Sequence, residues 1–293
     1  MVNFDPKKDI PDLSGRTILV TGDTNGLGKE TLSLLAAHGP SQLIFTGRNT
    51  SAGEAIVSAF KTQYPSITIS FIPCDLASLS SVRDCAHQIL ATQIRLDILL
   101  LVAGVLTSEP SLTIDGYELH FGTNHLGHAL LIKLLLPLLN RTASTPQHDL
   151  RIILISSAAA ESATLSLPTV RTTMSDIPWY QVPSMKRYGH SKLANVLCVR
   201  ALAKHHPDII SVSMHPGVAS TGIARTMPWP VQTLIKAFGS TVLKTPEEVA
   251  WGGVWAATAK RDEVENGAYY RPVGVNYTGV GRTGDDELAE ELN

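Results

Sequence analysis

Thr17-Ile18-Leu19-Val20-Thr21-Gly22-Asp23-Thr24-Asn25-Gly26-Leu27-Gly28 decides how the rest of the chain is read. A short aliphatic and β-branched run ends in a turn with glycines at 22, 26 and 28, and a helical pattern begins at once. Glycines so spaced let the backbone turn sharply, bring bare N–H groups against a pyrophosphate, and seat the next helix closely on its strand. The spacing is Gly-xxx-Gly-x-Gly, not the Gly-x-Gly-xx-Gly of the long dinucleotide fingerprint. A Walker A loop is excluded, because Gly28-Lys29 would need glycine at 23, where Asp23 stands, and Ser or Thr at 30, where Glu30 stands. Gly22, Asn25, Gly26, Leu27 and Gly28 are therefore the candidate pyrophosphate cradle.

Outward from this turn, strand-like and helix-like segments alternate. The pattern predicts strands at 17–21, 42–46, 67–72, 97–102, 151–156, 209–214 and 268–271, with helices at 27–38, 52–64, 78–92, 117–139, 188–205 and 246–259. Near-continuous apolar strands separated by helices imply a parallel sheet covered on both faces, doubly wound, with ligands at the carboxyl ends of its strands. The expectation is one α/β domain over 1–293, with an N-terminal extension at 1–14. The least regular stretches, 158–187 and 221–245, both follow predicted strands and so belong on the ligand side, where long loops form lids.

Composition narrows the function. The 293 residues carry 24 Lys+Arg against 26 Asp+Glu, a formal charge of −2. Bulk charge thus gives no reason to expect a nucleic-acid or anionic-membrane partner. With 44% hydrophobic and 17% charged residues, the chain can bury a large core. Three cysteines, Cys74, Cys85 and Cys198, without Cys-xx-Cys spacing, suggest neither a disulfide framework nor a zinc site. No apolar run reaches the length of a membrane span, and residues 1–11 lack a signal-peptide core. The expectation is a cytoplasmic protein.

Several residues carry chemistry. The second strand ends Phe45-Thr46-Gly47-Arg48, where an acid would bond an adenosine ribose and an Arg can pair with a 2′-phosphate, so Arg48 favours NADP over NAD. Tyr188 and Lys192 lie four apart on one helix face. A free tyrosine titrates near ~10, so easy proton exchange near neutrality asks for a fall of roughly three pH units, about 4 kcal/mol. Lys192 and a positively charged nicotinamide could supply it. Ser157 ends a buried strand, where a hydroxyl could bond a substrate carbonyl; Ser156 competes for that role. Asn124 stands within a long apolar helix, where it is expected to interrupt the hydrogen-bond ladder and hold a water. His125 and His128 suit capping or packing better than a metal, since no His-Glu-xx-His or carboxylate cluster accompanies them. No metal is expected. A serine hydrolase is disfavoured, because Gly189-His190-Ser191-Lys192-Leu193 lacks the second glycine of Gly-x-Ser-x-Gly.

As a set, Thr21-Gly22-xxx-Gly26-Leu27-Gly28, Asp75, Asn124, Ser157, Tyr188-xxx-Lys192 and His215-Pro216-Gly217 resemble the short-chain dehydrogenase/reductase family over about residues 15 to 275. Asn124-His125-Leu126-Gly127-His128 and the segment from Tyr188 to Asn195 are similar to the branch with retinol dehydrogenases and the WW-domain oxidoreductase; similar chains serve fungal secondary metabolism. The resemblance implies a seven-stranded Rossmann sheet, in dimers or tetramers. It implies Tyr188 as acid/base, Lys192 lowering its pKa and binding the nicotinamide ribose, Ser157 orienting the carbonyl, and Asn124 supporting a water relay. It also implies cofactor contacts from Asp75 and Leu76 near adenine, from Ala103 and Gly104, and from Pro216, Gly217, Val218 and Thr221 near the carboxamide and diphosphate. Two positions depart from the family pattern. Val102 replaces an Asn that helps tie neighbouring strands, and Asp23 replaces a small residue facing the pyrophosphate.

The sequence thus points to an NADP(H)-dependent oxidoreductase interconverting a carbonyl and an alcohol. Trp179, Met185, Met227 and Trp229 in the two long loops suggest a lipophilic ketone, aldehyde or alcohol. The rival readings are a dinucleotide-binding sensor without turnover and a non-redox enzyme, a dehydratase or cyclase, on the same fold.

Overall fold

β1 (Thr17–Thr21) is wholly buried and has a parallel strand on each side, β2 (Gln42–Gly47) and β4 (Ile98–Leu101). In the computed structural model, which describes residues 3–22, 26–145, 149–178, 181–217 and 244–292, these strands join β3 (Thr68–Pro73), β5 (Arg151–Ile155), β6 (Ile210–Met214) and β7 (Tyr269–Tyr270). The order is β3-β2-β1-β4-β5-β6-β7, with every pairing parallel. Val20 stands opposite Phe45 on one side and Leu100 on the other. The seven-stranded, doubly wound sheet expected from the sequence is present. Its order reverses between β1 and β4, and a crevice opens beyond the carboxyl ends of strands at such a point.

The connecting helices follow from capping and periodicity. A short α1 (Pro6–Asp9) precedes the sheet. α2 (Gly26–Ala36) starts directly from the glycine turn. α3 (Thr50–Gln63) is capped by Asn49, which accepts from the Ala52 N–H, and α4 (Leu79–Thr92) by Ser78. The segment predicted as one helix over 117–139 is α5 (Leu119–Phe121), a π turn (Gly122–Leu126) and α6 (Gly127–Ala143) in succession. α7 (Pro183–His205) begins five residues earlier than expected, with proline in its first turn, where a missing N–H costs nothing. α8 (Pro246–Thr258) opens with a reciprocal cap between Thr245 and Glu248, and α9 (Asp286–Leu292) ends the described chain. β7 is shorter than predicted because the Arg271 N–H turns to the Val275 carbonyl.

Alternation along the strands builds a core on each face. Ile18, Val20, Leu43, Phe45 and Leu100 face Leu32 and Leu35 of α2, Ile56 and Phe60 of α3, and Trp255 of α8. Leu19, Ile44, Leu99 and Leu101 face Val82 and Ile89 of α4, Leu131 and Leu135 of α6, and Val199 of α7. At the sheet's amino edge the Asp97 carboxylate accepts the Thr17 N–H at 2.8 Å, and Arg151, 2% exposed, pairs with Asp149 and donates to the Ala256 carbonyl. The fixed charges of that edge are spent on holding strands and helix ends.

The first residue of α6 passes so close to the end of β3 that a Cβ on Gly127 would run into the Leu76 carbonyl oxygen. Gly127→Ala should therefore force the loop carrying Asp75 away from α6. Overpacking of this kind costs about 1–3 kcal/mol, and urea unfolding should show a lower midpoint with an unchanged slope.

Candidate active site

Beyond β1 the chain enters the crevice through Gly22, whose φ of +117° is one that other residues avoid. A Cβ there would sit 3.0 Å from the Ala103 nitrogen, so the chain after β1 lies directly against the chain after β4. Gly26 opens α2, Leu27 packs on the core and Gly28 is buried in the first turn. That first helical turn carries no acidic side chain, so its dipole end suits a diphosphate. Arg48 is exposed just beyond β2. Asp75, just beyond β3, is half-buried; its Oδ1 accepts the Ala77 N–H at 3.0 Å and its N–H donates to Ser81 Oγ at 2.9 Å. Leu76 is buried beside it. Ala103 and Gly104 follow β4, and Gly104 lies against the amide of Asn124 and the ammonium of Lys192. Pro216 and Gly217 leave β6, with the Lys244 side chain packed against Gly217. The proposed sites Asn25, Val218 and Thr221 lie outside the described residues, as do Asp23, Trp179, Met227, Trp229 and nearly all of 221–245.

Ser157, Tyr188, Lys192 and Asn124 come together at the carboxyl ends of β4 and β5. Ser156 and Ser157 separate cleanly. Ser156 is buried and donates to the Lys192 carbonyl at 2.7 Å, whereas Ser157 is half-buried, accepts the Ala159 N–H, and lies near enough to Tyr188 to pull its pKa down. Lys192 is 2% exposed; its Nζ donates to the Ile155 carbonyl at 2.9 Å and lies 5.4 Å from the centre of the Tyr188 ring. The His120 ring meets that of Tyr188 edge-on at 6.2 Å.

Asn124 sits in the middle of the π turn, fully buried. Its Oδ1 accepts the Val105 N–H at 2.7 Å, and its Nδ2 donates to the Val105 carbonyl and to Ser191 Oγ, both at 3.0 Å. The expected break in the helical ladder is therefore real, and the side chain spends itself on protein groups. Its backbone carbonyl accepts from His128 Nδ1 at 3.0 Å and from Asn195 Nδ2 at 3.1 Å.

Burial sets the protonation of the two central groups. It pushes the Tyr188 phenol up to about 12, against the Ser157 hydrogen bond, which pulls it down. It pushes Lys192 down to about 8. The depression of Tyr188 anticipated from its neighbour is not seen, because burial dominates and Lys192 directs its ammonium to a strand carbonyl. At neutral pH the chain holds a protonated phenol beside an ammonium.

Several buried polar groups of the site escaped the sequence. Glu118, His120 and Arg187 are each 1% exposed or less. Glu118 accepts the Phe121 N–H and meets His120 Nδ1, both at 2.8 Å, while Arg187, 3.5 Å from the same carboxylate, donates to the Ser108 carbonyl. Asn195 bonds the Ile155 carbonyl at 3.2 Å. His128, which the sequence marks for capping or packing, instead reaches Thr21 Oγ1 with its Nε2 at 2.8 Å. A charged or amide side chain on the apolar stripe of a helix was the available signal, and it names no partner.

The family model described as short chain dehydrogenase matches residues 16–169. Human polyprenol dehydrogenase is 33% identical over 91% of this chain and 78% of its own. Human retinol dehydrogenase 12 is 32% identical over 88% of this chain and 78% of its own. A protein from Mycobacterium paratuberculosis, solved by crystallography and 26% identical, superposes with a TM-score of 0.73 over 99% of this chain and 95% of that one. With a family match over more than half of its length and enzymes sharing a third of its residues, this chain belongs to the short-chain dehydrogenase/reductase family of oxidoreductases.

Proposed function

We propose that the chain is an NADP(H)-dependent oxidoreductase that interconverts a carbonyl and an alcohol on a lipophilic small molecule. One observation carries the reading: a half-buried phenol, Tyr188, stands beside a half-buried serine, Ser157, whose hydroxyl draws the phenol's pKa down, at the strand ends, with the Lys192 ammonium alongside. Two hydroxyls so arranged can both donate to one carbonyl oxygen.

In the reducing direction Ser157 Oγ and Tyr188 Oη hold the carbonyl oxygen, and the phenol passes its proton to it as negative charge develops. A phenol raised to about 12 keeps its proton at neutral pH and so is ready to give it. The Lys192 charge favours the phenolate left behind. In the oxidising direction Tyr188 first loses its proton and then takes one from the alcohol. The nicotinamide, when bound, supplies or accepts the hydride. Asn124 positions the floor of the site through Val105 and Ser191.

Gly22, Asn25, Gly26, Leu27 and Gly28 would cradle the diphosphate of the dinucleotide. Asp75 and Leu76 would lie at adenine, Ala103, Gly104, Tyr188 and Lys192 at the nicotinamide ribose, and Pro216, Gly217, Val218 and Thr221 at the carboxamide and diphosphate. Arg48 stands exposed where an NAD-type site places its acid, and its guanidinium suits a 2′-phosphate. The lipophilic substrate is supported by relatives named for a polyprenol and for retinol, both largely hydrocarbon alcohols.

Tyr188→Phe keeps the ring and removes the proton. General acid catalysis contributes roughly 10²–10⁴-fold, so kcat should fall by about that factor while NADPH binding, followed by its fluorescence, stays near wild type. A mutant that kept full turnover would end the proposal. Arg48→Asp should lower kcat/KM for NADPH about 10- to 100-fold, the worth of a charge-assisted hydrogen bond, and leave NADH almost unaffected. Because Lys192 is held down to about 8, it loses its charge as pH rises through that value. Reduction, which leaves a phenolate beside Lys192, should then decline above about pH 8, and Lys192→Met should erase that break in steady-state pH profiles.

A further inference from the structure

The buried histidine of α6, His128, is 1% exposed and lies one turn after Asn124. Its ring joins two groups that sequence places far apart. A carbonyl can only accept, so Nδ1, 3.0 Å from the Asn124 carbonyl, must carry the ring proton. Nε2 then accepts, and the Thr21 hydroxyl donates to it at 2.8 Å. Thr21 Oγ1 in turn takes the Ala103 N–H at 3.4 Å. Thr21 is the last residue of β1, immediately before the glycine turn. Asn124 is the residue that grips Val105 after β4 and Ser191 on the tyrosine helix.

We infer that His128 is a positioning residue which, acting through Asn124, fixes the glycine turn at a set distance from the helix carrying Tyr188 and Lys192. This inference rests on the carbonyl–alcohol reading given above. A π turn places its carbonyls off the regular helical line, as the Gly127 N–H reaching the Gly122 carbonyl shows. The Asn124 carbonyl finds its side-chain donors in His128 and Asn195, and Asn195 also meets the Ile155 carbonyl that receives Lys192. Moving the π turn would therefore move Val105, Ser191 and the acceptor of Lys192 together. Burial pushes His128 down to about 3 against the Asn124 bond that favours its charge, and Lys192 and His125 press the same way as burial. The ring stays neutral across the working range, so its contribution does not titrate.

The test pairs kinetics with a measurement that needs no turnover. A misplacement near 1 Å can cost on the order of 10²-fold. His128→Leu should lower kcat about 10- to 100-fold, by the same factor at every pH, with KM for NADPH and for the carbonyl within about threefold. His128→Asn, which still presents a donor toward the Asn124 carbonyl, should recover most of that loss. A Leu variant within about threefold of wild type, or an Asn variant no better than Leu, overturns the inference. Should the Leu variant fail to fold, Thr21→Val carries the same test: it removes the hydroxyl at constant shape and should lower kcat with KM unchanged, whereas full activity overturns the inference. Independently, nitrogen NMR of labelled histidine should show His128 protonated at Nδ1 alone and unchanged between about pH 5.5 and 8.5; an Nε2–H ring, or one that titrates in that window, overturns it. A wild-type chain without turnover on any carbonyl would defeat the oxidoreductase reading, and the NMR result would still decide the place of His128.

Discussion

Lys192 puts an ammonium where water barely reaches, and the neighbourhood is arranged to tolerate it. Taking such a group out of water costs several kcal/mol unless acceptors meet it. The acceptor here is the Ile155 carbonyl, the last of β5, freed because the strand ends there. The compensation is partial, since the ammonium is drawn down to about 8. Beside it the same burial drives the Tyr188 phenol up to about 12. The two groups are pushed in opposite directions on the pH scale, and at neutrality both keep their protons. A site so poised gives a proton readily and takes one only when further positive charge is brought close. That asymmetry follows from burial and needs no special residue.

The architecture was legible because each layer repeats one physical rule. Strands buried on both faces read as unbroken aliphatic runs, and Ile98-Leu99-Leu100-Leu101 is the plainest case. The glycine turn identified the first strand, and every later strand then fell into register. Errors gathered at ends, as they must where capping and proline decide: Pro183 starts α7 early, and the bond from Arg271 to Val275 cuts β7 short. Tyr188 and Lys192 were found through helical spacing together with their place at the start of a helix after the fifth strand, and their roles through the family resemblance. The choice between Ser156 and Ser157 stayed open, because both hydroxyls sit at one strand end and only the backbone's exit direction turns one toward Lys192 and the other toward Tyr188.

What the sequence withheld shares a single cause. Asn124 and Ser191 are 67 positions apart, Asn195 and Ile155 40, and Thr21 and His128 107. Periodicity places a side chain on a face; it does not say which polar atom from another element will be waiting there. The π turn is hidden for a related reason. An extra residue in one turn shifts the apolar stripe by little, so the segment still reads as a continuous helix, and the buried Asn is the sole mark of the irregularity.

The replacement of a strand-tying Asn by Val102 becomes intelligible in this setting. Val102 is 8% exposed and joins the core on the side of α2 and α8, so it contributes packing and no hydrogen bond from its side chain. The chain after β4 is nevertheless tied twice. The Ala103 N–H meets Thr21 Oγ1 from β1, and both backbone groups of Val105 meet Asn124 from the π turn. His128 links those two ties through one neutral ring. A polar group at 102 would have to be desolvated among Ile18, Val20 and Trp255, whereas the Thr21 hydroxyl is already at the strand end and satisfied on both sides. The chain after β4 is therefore held by its neighbours without a polar side chain at 102.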